Sequence, residues 1–472
     1  MTQTASSGID ELRTAIDGTV IAPHDAGYDD ARQVWNADID RRPGVVAQCV
    51  SAEDVRAAVL FGVRNGLEIA VRGGAHSMYG ASTVDEGLMI DLSRMNQVTV
   101  DPETKRAWVG GGALLGELDA AAQAHGLATP AGTVSHTGVA GLTLGGGMGW
   151  LTRQFGLSLD NVLSVQVVTA DGRILRAAAD ENPDLYWAVR GGGGNFGVVT
   201  EFEFRLHEVG PMVQYGMLFW GLDQAAEMLR TARRLLPTLP PDTNILIAAI
   251  SAPPAPFVPE QYHFQPGLAL NVVGFGGPER HEEVLASIRE AAPAPLFEFV
   301  TPMPYTALQQ MIDEPNGWGH YCYDKGSYFE ELTDELDQVI VEQVARKTSP
   351  LSSVLIFRLD NAYSAVGDDD TAFSGGRSPR YAMFIIAVCP VPEMLAGERA
   401  WVRSFWDALQ PHTLGIGSYV NAMSENEFDR VKASYGEEKY ARLARIKAEY
   451  DPDNVFRRNA NIVPAQPVEA TA

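Results

Sequence analysis

The first setting in this 472-residue sequence that suggests chemistry is a histidine among glycines: His76 in "VRGGAHSMYG", directly after the apolar, strand-like "LEIAVR". Bare glycine backbone lets a large flat ligand come close to the imidazole. The ring could be a metal ligand, a base, a charge switch, filler, or the attachment point for something larger. No partner stands near it at metal-ligand spacing, and His125, His207 and His412 have no comparable setting. His136 lies in a second glycine-rich stretch, "AGTVSHTGVAGLTLGGGMGW". Two more are "VGGGALLGEL" from Val109 and "RGGGGNFGVV" from Arg190. One such loop is explained by a tight turn. Four among strand-like pieces suit backbone amides that form anion-binding nests for a pyrophosphate.

The elements that would position these loops alternate. "VVAQCV" reads as a strand. Ser51 then caps a helix over "SAEDVRAAVLFGVRNG", with acids in its first turn and Gly66 at its end, and "LEIAVR" closes a β-α-β unit on the His76 loop. Gly192, Gly194 and Gly197 satisfy G-x-G-x-x-G, the spacing of a dinucleotide site, but that site needs a helix opening at the third glycine. Here "VVTEFEFRL" follows, alternating like a half-exposed strand. "VGGGALLGELDAAAQAHG" does run strand, glycines, helix, yet its spacing is wrong and no acid follows to grip a ribose. From about residue 210 the glycines thin and proline-rich connections ("LPTLPPD", "APPAPFVP") separate the strand-like runs "TNILIAAI", "GLALNVVGF" and "YAMFIIAV". That pattern predicts a second, mixed α+β domain. A final helix carries Tyr440, Leu443, Ile446, Lys447 and Tyr450 on one stripe and stops at "DPDN".

Composition bounds the partners. The chain is long enough for two domains that enclose a large cofactor. With 36 Lys+Arg against 60 Asp+Glu its formal net charge is −24, a field that repels phosphate backbones and anionic lipid, so nucleic acid and membrane are excluded as expected partners. Cys49, Cys322 and Cys389 are scattered and suggest neither a disulfide framework nor zinc. With no leader-like N-terminus and no apolar run long enough to span a bilayer, a cytoplasmic protein is expected.

Several segments together resemble the berberine bridge enzyme-like FAD-linked oxidases of the vanillyl-alcohol oxidase superfamily. They are "VRGGAHSMYGASTVDEGLMIDLS", "PAGTVSHTGVAGLTLGGGMGWLTRQFGLSLDNV", "DLYWAVRGGGGNFGVVTEFEF", "YVN" at 419–421 and "YDPDNVFRRNANI" at 450–462, in the order typical of that family. The likeness covers the first 210 and last 55 residues well and the middle weakly. It implies an α+β architecture: an FAD-binding domain split over residues 1–208 and 425–472, with a substrate domain, 209–424, inserted. It also implies FAD bound covalently through His76. Arg72, Gly73, Gly74, Ala75 and Ser77 would wrap the pyrophosphate. Gly132, Thr133, Val134, Gly138, Gly141, Gly145 and Gly146 would border the flavin, Asn161 and Val199 would lie on the adenine side, and Asn459 and Asn461 near the flavin. Many relatives carry a second flavin link through a cysteine where this chain has Val134, so a single link is expected. Met148 stands where sugar-oxidising relatives often have tyrosine, which weakens transfer of their catalytic pair.

For catalysis the resemblance points to Tyr419 as the group that takes a substrate proton; the other reading is a core tyrosine bonded to backbone. His136 either polarises substrate or ring or only packs locally. Trp318, Tyr321, Tyr323 and Tyr363 line a pocket or fill a core. The implied activity is an oxidase that takes hydride from an alcohol, hemiacetal or amine carbon of a small molecule and passes electrons to dioxygen. The alternatives are a dehydrogenase with another acceptor and a flavin-binding protein without turnover.

Overall fold

The computed structural model describes residues 3–424 and 428–466. The expected division at 424/425 abuts residues outside that description. Three principal sheets organise the chain. The first has strands Thr19–Ile21, Val45–Gln48, Leu88–Asp91 and Ile69–Arg72 in that spatial order, parallel except at its first pair. The helix Ala52–Arg64 forms as expected: Ser51 accepts from the amide of Asp54, Glu53 and Asp54 sit in the first turn, and Gly66 takes φ +62° past its end. The β-α-β unit is not made of neighbours, because Leu88–Asp91 lies between its two strands. The loop after Ile69–Arg72 therefore leaves the sheet's edge strand.

The second sheet is antiparallel, in the order Val98–Asp101, Arg106–Gly110, Val198–Arg205, Val162–Val168, Ile174–Ala178. Val198–Arg205 is its centre, paired on both edges, and not the half-exposed strand its alternation suggests. Glu203 is 7% exposed and holds Arg106 Nη1 at 2.6 Å and Ser164 Oγ at 2.7 Å, so a polar residue is buried without loss of partners. The stretch after Ala131 also departs from a loop: Val139–Gly145 is helical, and Gly146 (φ +152°) ends it.

The third sheet has seven antiparallel strands, in the order Phe297–Pro304, Met212–Gly221, Pro266–Gly274, Thr243–Ser251, Ser353–Leu359, Arg380–Cys389, Tyr321–Phe329. All three apolar runs singled out in this part of the sequence are among its strands. One apolar core lies under the helices Ala225–Leu235, Asp334–Val344 and Pro392–Leu409. A second core, with Trp150, Tyr215, Phe357, Tyr363 and Tyr419, joins the sheet to the segment after the "GGG" run. Two buried ion pairs cross the same junction: Arg153 Nε to Asp360 at 2.6 Å, and Arg377, in a two-pronged contact, to Asp160 at 2.7 and 2.9 Å.

The last helix, Glu437–Tyr450, buries Tyr440, Leu443, Ile446, Lys447 and Tyr450 together, against the core of the second sheet. Lys447 Nζ donates to the carbonyls of Asn195 and Phe456, both at 2.9 Å, and pairs with Asp451 at 3.1 Å. That contact ties the C-terminal segment to the "GGGGNFG" turn. No described helix is long and apolar enough to cross a membrane.

Candidate functional site

A cleft of about 1330 Å³ lies between the glycine loops and the seven-stranded sheet. The loop after Ile69–Arg72 forms one wall. Gly74 and Gly138 meet backbone to backbone: a Cβ on Gly74 would stand 2.2 Å from Gly138 N, and one on Gly138 would stand 2.3 Å from Gly74 N. Glycine is thus required at both positions to join the two loops. Gly141 and Gly194 line the same cleft with open space where a Cβ would sit, so the room kept there is not taken up by protein. From Gly73 to Ser77, no backbone N–H donates to an acceptor among the described residues. Five consecutive free donors on the rim of a deep cleft form a ready anion site. The donor run, the cleared space and the cleft volume fit a dinucleotide with a flat ring system.

His76 is aimed into this cleft by backbone strain. Ala75 adopts φ +58°, a left-handed conformation that costs about 1–2 kcal/mol for a residue with a Cβ. Its carbonyl accepts from Trp35 N at 3.1 Å. The Trp35 ring stacks on His76 with centroids 4.8 Å apart and planes 18° apart, and Nε2 of His76 lies 2.7 Å from Nδ1 of His136. Burial first, and the neighbouring imidazole second, push the His76 pKa down to about 3, so the ring is neutral over the working pH range.

Tyr419 is explained by the three glycines before Met148. Its phenolic oxygen accepts from Gly147 N at 2.8 Å and from Asn421 Nδ2 at 2.9 Å. A Cβ on Gly145 would meet Asn421 Oδ1 at 2.1 Å, and one on Gly146 would meet the Tyr419 ring at 2.8 Å. Burial raises the phenol to about 12, while both donors pull it down. Asn421 lines the cleft; Tyr419 stands beside it, one layer deeper, against Phe373 and Phe384.

The opposite side of the cleft is a sheet face. Phe299, Met217, Asn271 and Leu246 lie side by side across four adjacent strands, and Tyr215 and Leu355 extend the floor. Asn271 is the polar point in this apolar row: its Oδ1 accepts from Tyr215 Oη at 2.7 Å and its Nδ2 donates to the Leu246 carbonyl at 3.3 Å.

Of the residues singled out from sequence, Gly73, Gly74, Ala75, His76, Ser77, Thr133, Val134, Gly138, Gly141, Gly145, Val199 and Asn459 line the cleft. The others lie outside the lining. Arg72 turns back to the Ala31 carbonyl at 2.6 Å. Gly132 gives its carbonyl to Gln309, Gly146 packs on Tyr419, and His136 stands behind the lining residue His76, bonded to it. Asn161 caps the Phe155 and Leu157 carbonyls and meets His207 Nε2 at 2.7 Å. Asn461 Oδ1 is buried with no partner among the described residues. The Trp318 and His76 rings stand perpendicular, 6.4 Å between centroids. Tyr321 and Tyr323 belong to the helix-covered core, and Tyr363 is bonded to the Gly376 carbonyl. Trp35 and the Tyr215–Asn271 pair escaped the sequence reading: Trp35 has no glycine context, and its indole N–H reaches the distant Asn316 carbonyl. All three cysteines are buried outside the cleft.

A family profile described as "FAD binding domain" matches residues 43–178, and one described as "Berberine and berberine like" matches 418–463. The chain is 32% identical to (R)-6-hydroxynicotine oxidase of Paenarthrobacter nicotinovorans over 469 residues, covering 95% of this chain and 97% of that one. The crystal structure of 6-hydroxy-D-nicotine oxidase from Arthrobacter nicotinovorans superposes with a TM-score of 0.82 at 29% identity, over 95% of this chain and 98% of that one. Phl p 4, a grass pollen allergen with glucose dehydrogenase activity, shares the fold with a TM-score of 0.85 at 22% identity, over 98% of this chain and 100% of that one.

Proposed function

The chain belongs to the berberine bridge enzyme-like family of FAD-linked oxidoreductases, and from that premise we propose that it is an oxidase acting on a small alcohol, hemiacetal or amine. Bound FAD would supply the two-electron acceptor that takes hydride from the substrate carbon and delivers the electrons to dioxygen, releasing hydrogen peroxide. The observation that carries the reading is one cleft with two chemically different sides: free amides and cleared glycines on one, an apolar sheet face on the other.

In this reading residues 1–208 and 425–472 hold the cofactor and 209–424 the substrate. The amides of Gly73 to Ser77 bind the pyrophosphate, and the Gly138–Gly146 segment and Val199 pack on the ring system and its adenosine end. His76 carries the single covalent link. Val134 lines the cleft where a second link would need a thiol. The floor formed by Phe299, Met217 and Leu246 excludes water and holds an apolar substrate body, while Tyr215 and Asn271 orient its polar group. Tyr419 takes the substrate proton. Its two hydrogen-bond donors, Gly147 N and Asn421 Nδ2, stabilise the phenolate. A pKa of about 12 keeps the phenol protonated at rest, so activity rises with pH as the phenolate fraction grows.

An anaerobic panel of neutral alcohols, hemiacetal sugars and amines tests this. Bleaching of the flavin by one of them, followed by rapid recovery in air with one hydrogen peroxide per turnover, is expected. Bleaching with no recovery in air would make the protein a dehydrogenase, as Phl p 4 is named. No bleaching across the panel would leave a flavin carrier.

A further inference from the structure

The side-chain polar contact of His76 is to another imidazole. With 2.7 Å between Nε2 of His76 and Nδ1 of His136, one nitrogen carries a proton and the other accepts it. On the far side of His136, Nε2 is buried with no hydrogen-bond partner among the described residues. Its tautomer is therefore not fixed from behind, as it would be by a carboxylate or carbonyl. On the far side of His76, no described side chain bonds Nδ1, and Trp35 holds the ring plane. The pair thus has a nitrogen held by no side chain on a residue that lines the cleft, a shared proton in the middle and an unpinned imidazole behind.

We propose that His136 is the proton acceptor for covalent attachment of the flavin to His76. This rests on the covalent reading above. Nδ1 of His76 forms a bond to the 8-methyl carbon of the isoalloxazine ring as one C–H bond of that methyl breaks. The methyl proton leaves to solvent, and the electron pair of the broken bond stays on the ring system. At the same time the Nε2 proton of His76 crosses to Nδ1 of His136, so the bonding imidazole ends neutral. Dioxygen then removes the two electrons together with two protons, the one held by His136 and one from solvent, as hydrogen peroxide, leaving His136 neutral and the cofactor linked and oxidised. Without His136 the bonding ring would have to hold a positive charge in a site where burial disfavours it. His136 acts through His76, so it is a positioning and proton-accepting residue for assembly and not for substrate turnover.

The test uses full-length chain produced under riboflavin limitation and then mixed with FAD: wild type, His136→Gln and His136→Ala. Two readouts are followed, reversible FAD affinity from flavin fluorescence and covalent incorporation from intact mass after acid quench. Both variants are expected to bind FAD with the wild-type affinity and to acquire the covalent mass about 10²- to 10⁴-fold more slowly at saturating FAD. Free imidazole should restore part of the rate to His136→Ala, whose missing ring leaves room for it, and none to His136→Gln. Covalent incorporation at the wild-type rate in either variant would overturn the proposal, as would loss of FAD affinity in both, which would make His136 structural. A wild type that binds FAD but never gains covalent mass would overturn the covalent reading itself, an outcome distinct from either of these.

Discussion

The two sides of the cleft recognise by different means. The loop side presents backbone: five free amides, glycine-to-glycine contact at Gly74 and Gly138, and cleared space at Gly141. The sheet side presents side chains, one from each of four neighbouring strands, with Asn271 as the polar point. Their tyrosines differ in the same sense. Tyr419 accepts two hydrogen bonds at its oxygen, which favours losing its proton; Tyr215 donates its proton to Asn271, which favours keeping it. A backbone site suits a ligand that never changes, and a side-chain floor can be re-cut strand by strand without touching the backbone that holds the cofactor.

Substitutions on the two sides should therefore separate. The largest effect falls on the tyrosines: Tyr419→Phe should slow flavin reduction in stopped flow about 10²- to 10⁴-fold with little change in substrate affinity, while Tyr215→Phe leaves the reduction rate within a few-fold. Equal slowing by both would erase the distinction. Next come the glycines. Gly74→Ala drives a Cβ into backbone and should cost the flavin-free protein about 1–3 kcal/mol in denaturant unfolding. Gly141→Ala, with nothing in the way, should leave that stability unchanged and weaken FAD binding only. On the floor, Asn271→Leu should shift substrate half-saturation about tenfold, the worth of one hydrogen bond near 1.4 kcal/mol, with an unchanged flavin spectrum. The smallest effect is electrostatic. The His76 pKa is depressed from 6.5 to about 3, so its contribution to stability is full above pH 6.5 and is lost as pH falls toward 3. His76→Asn should flatten that limb in melting curves of flavin-free protein.

What was legible in the sequence follows the same division. Glycine marks a backbone requirement at its own position, so the His76 loop, the "GGG" run and the "GGGGNFG" turn could be placed around one ligand, and Ser51 and Gly66 bounded their helix. Side chains that work through distant partners leave no such mark. Trp35 stacks on His76 but sits in an ordinary stretch of sequence. Phe299, Met217 and Leu246 become one row only when four antiparallel strands settle into register, which no single strand encodes. Burial of Glu203 hid the centrality of Val198–Arg205, because an alternating polar pattern normally signals solvent and here signals Arg106 and Ser164. Asn161 lay inside a family-like segment, yet its amide caps local carbonyls.

Where the flavin is held decides between a tethered and a freely exchanging cofactor. Protein purified in air, precipitated with acid and digested for mass spectrometry should yield one flavin-bearing peptide, with the added mass on His76 and the colour in the pellet. Flavin released entirely to the supernatant, or carried on any residue other than His76, would contradict it.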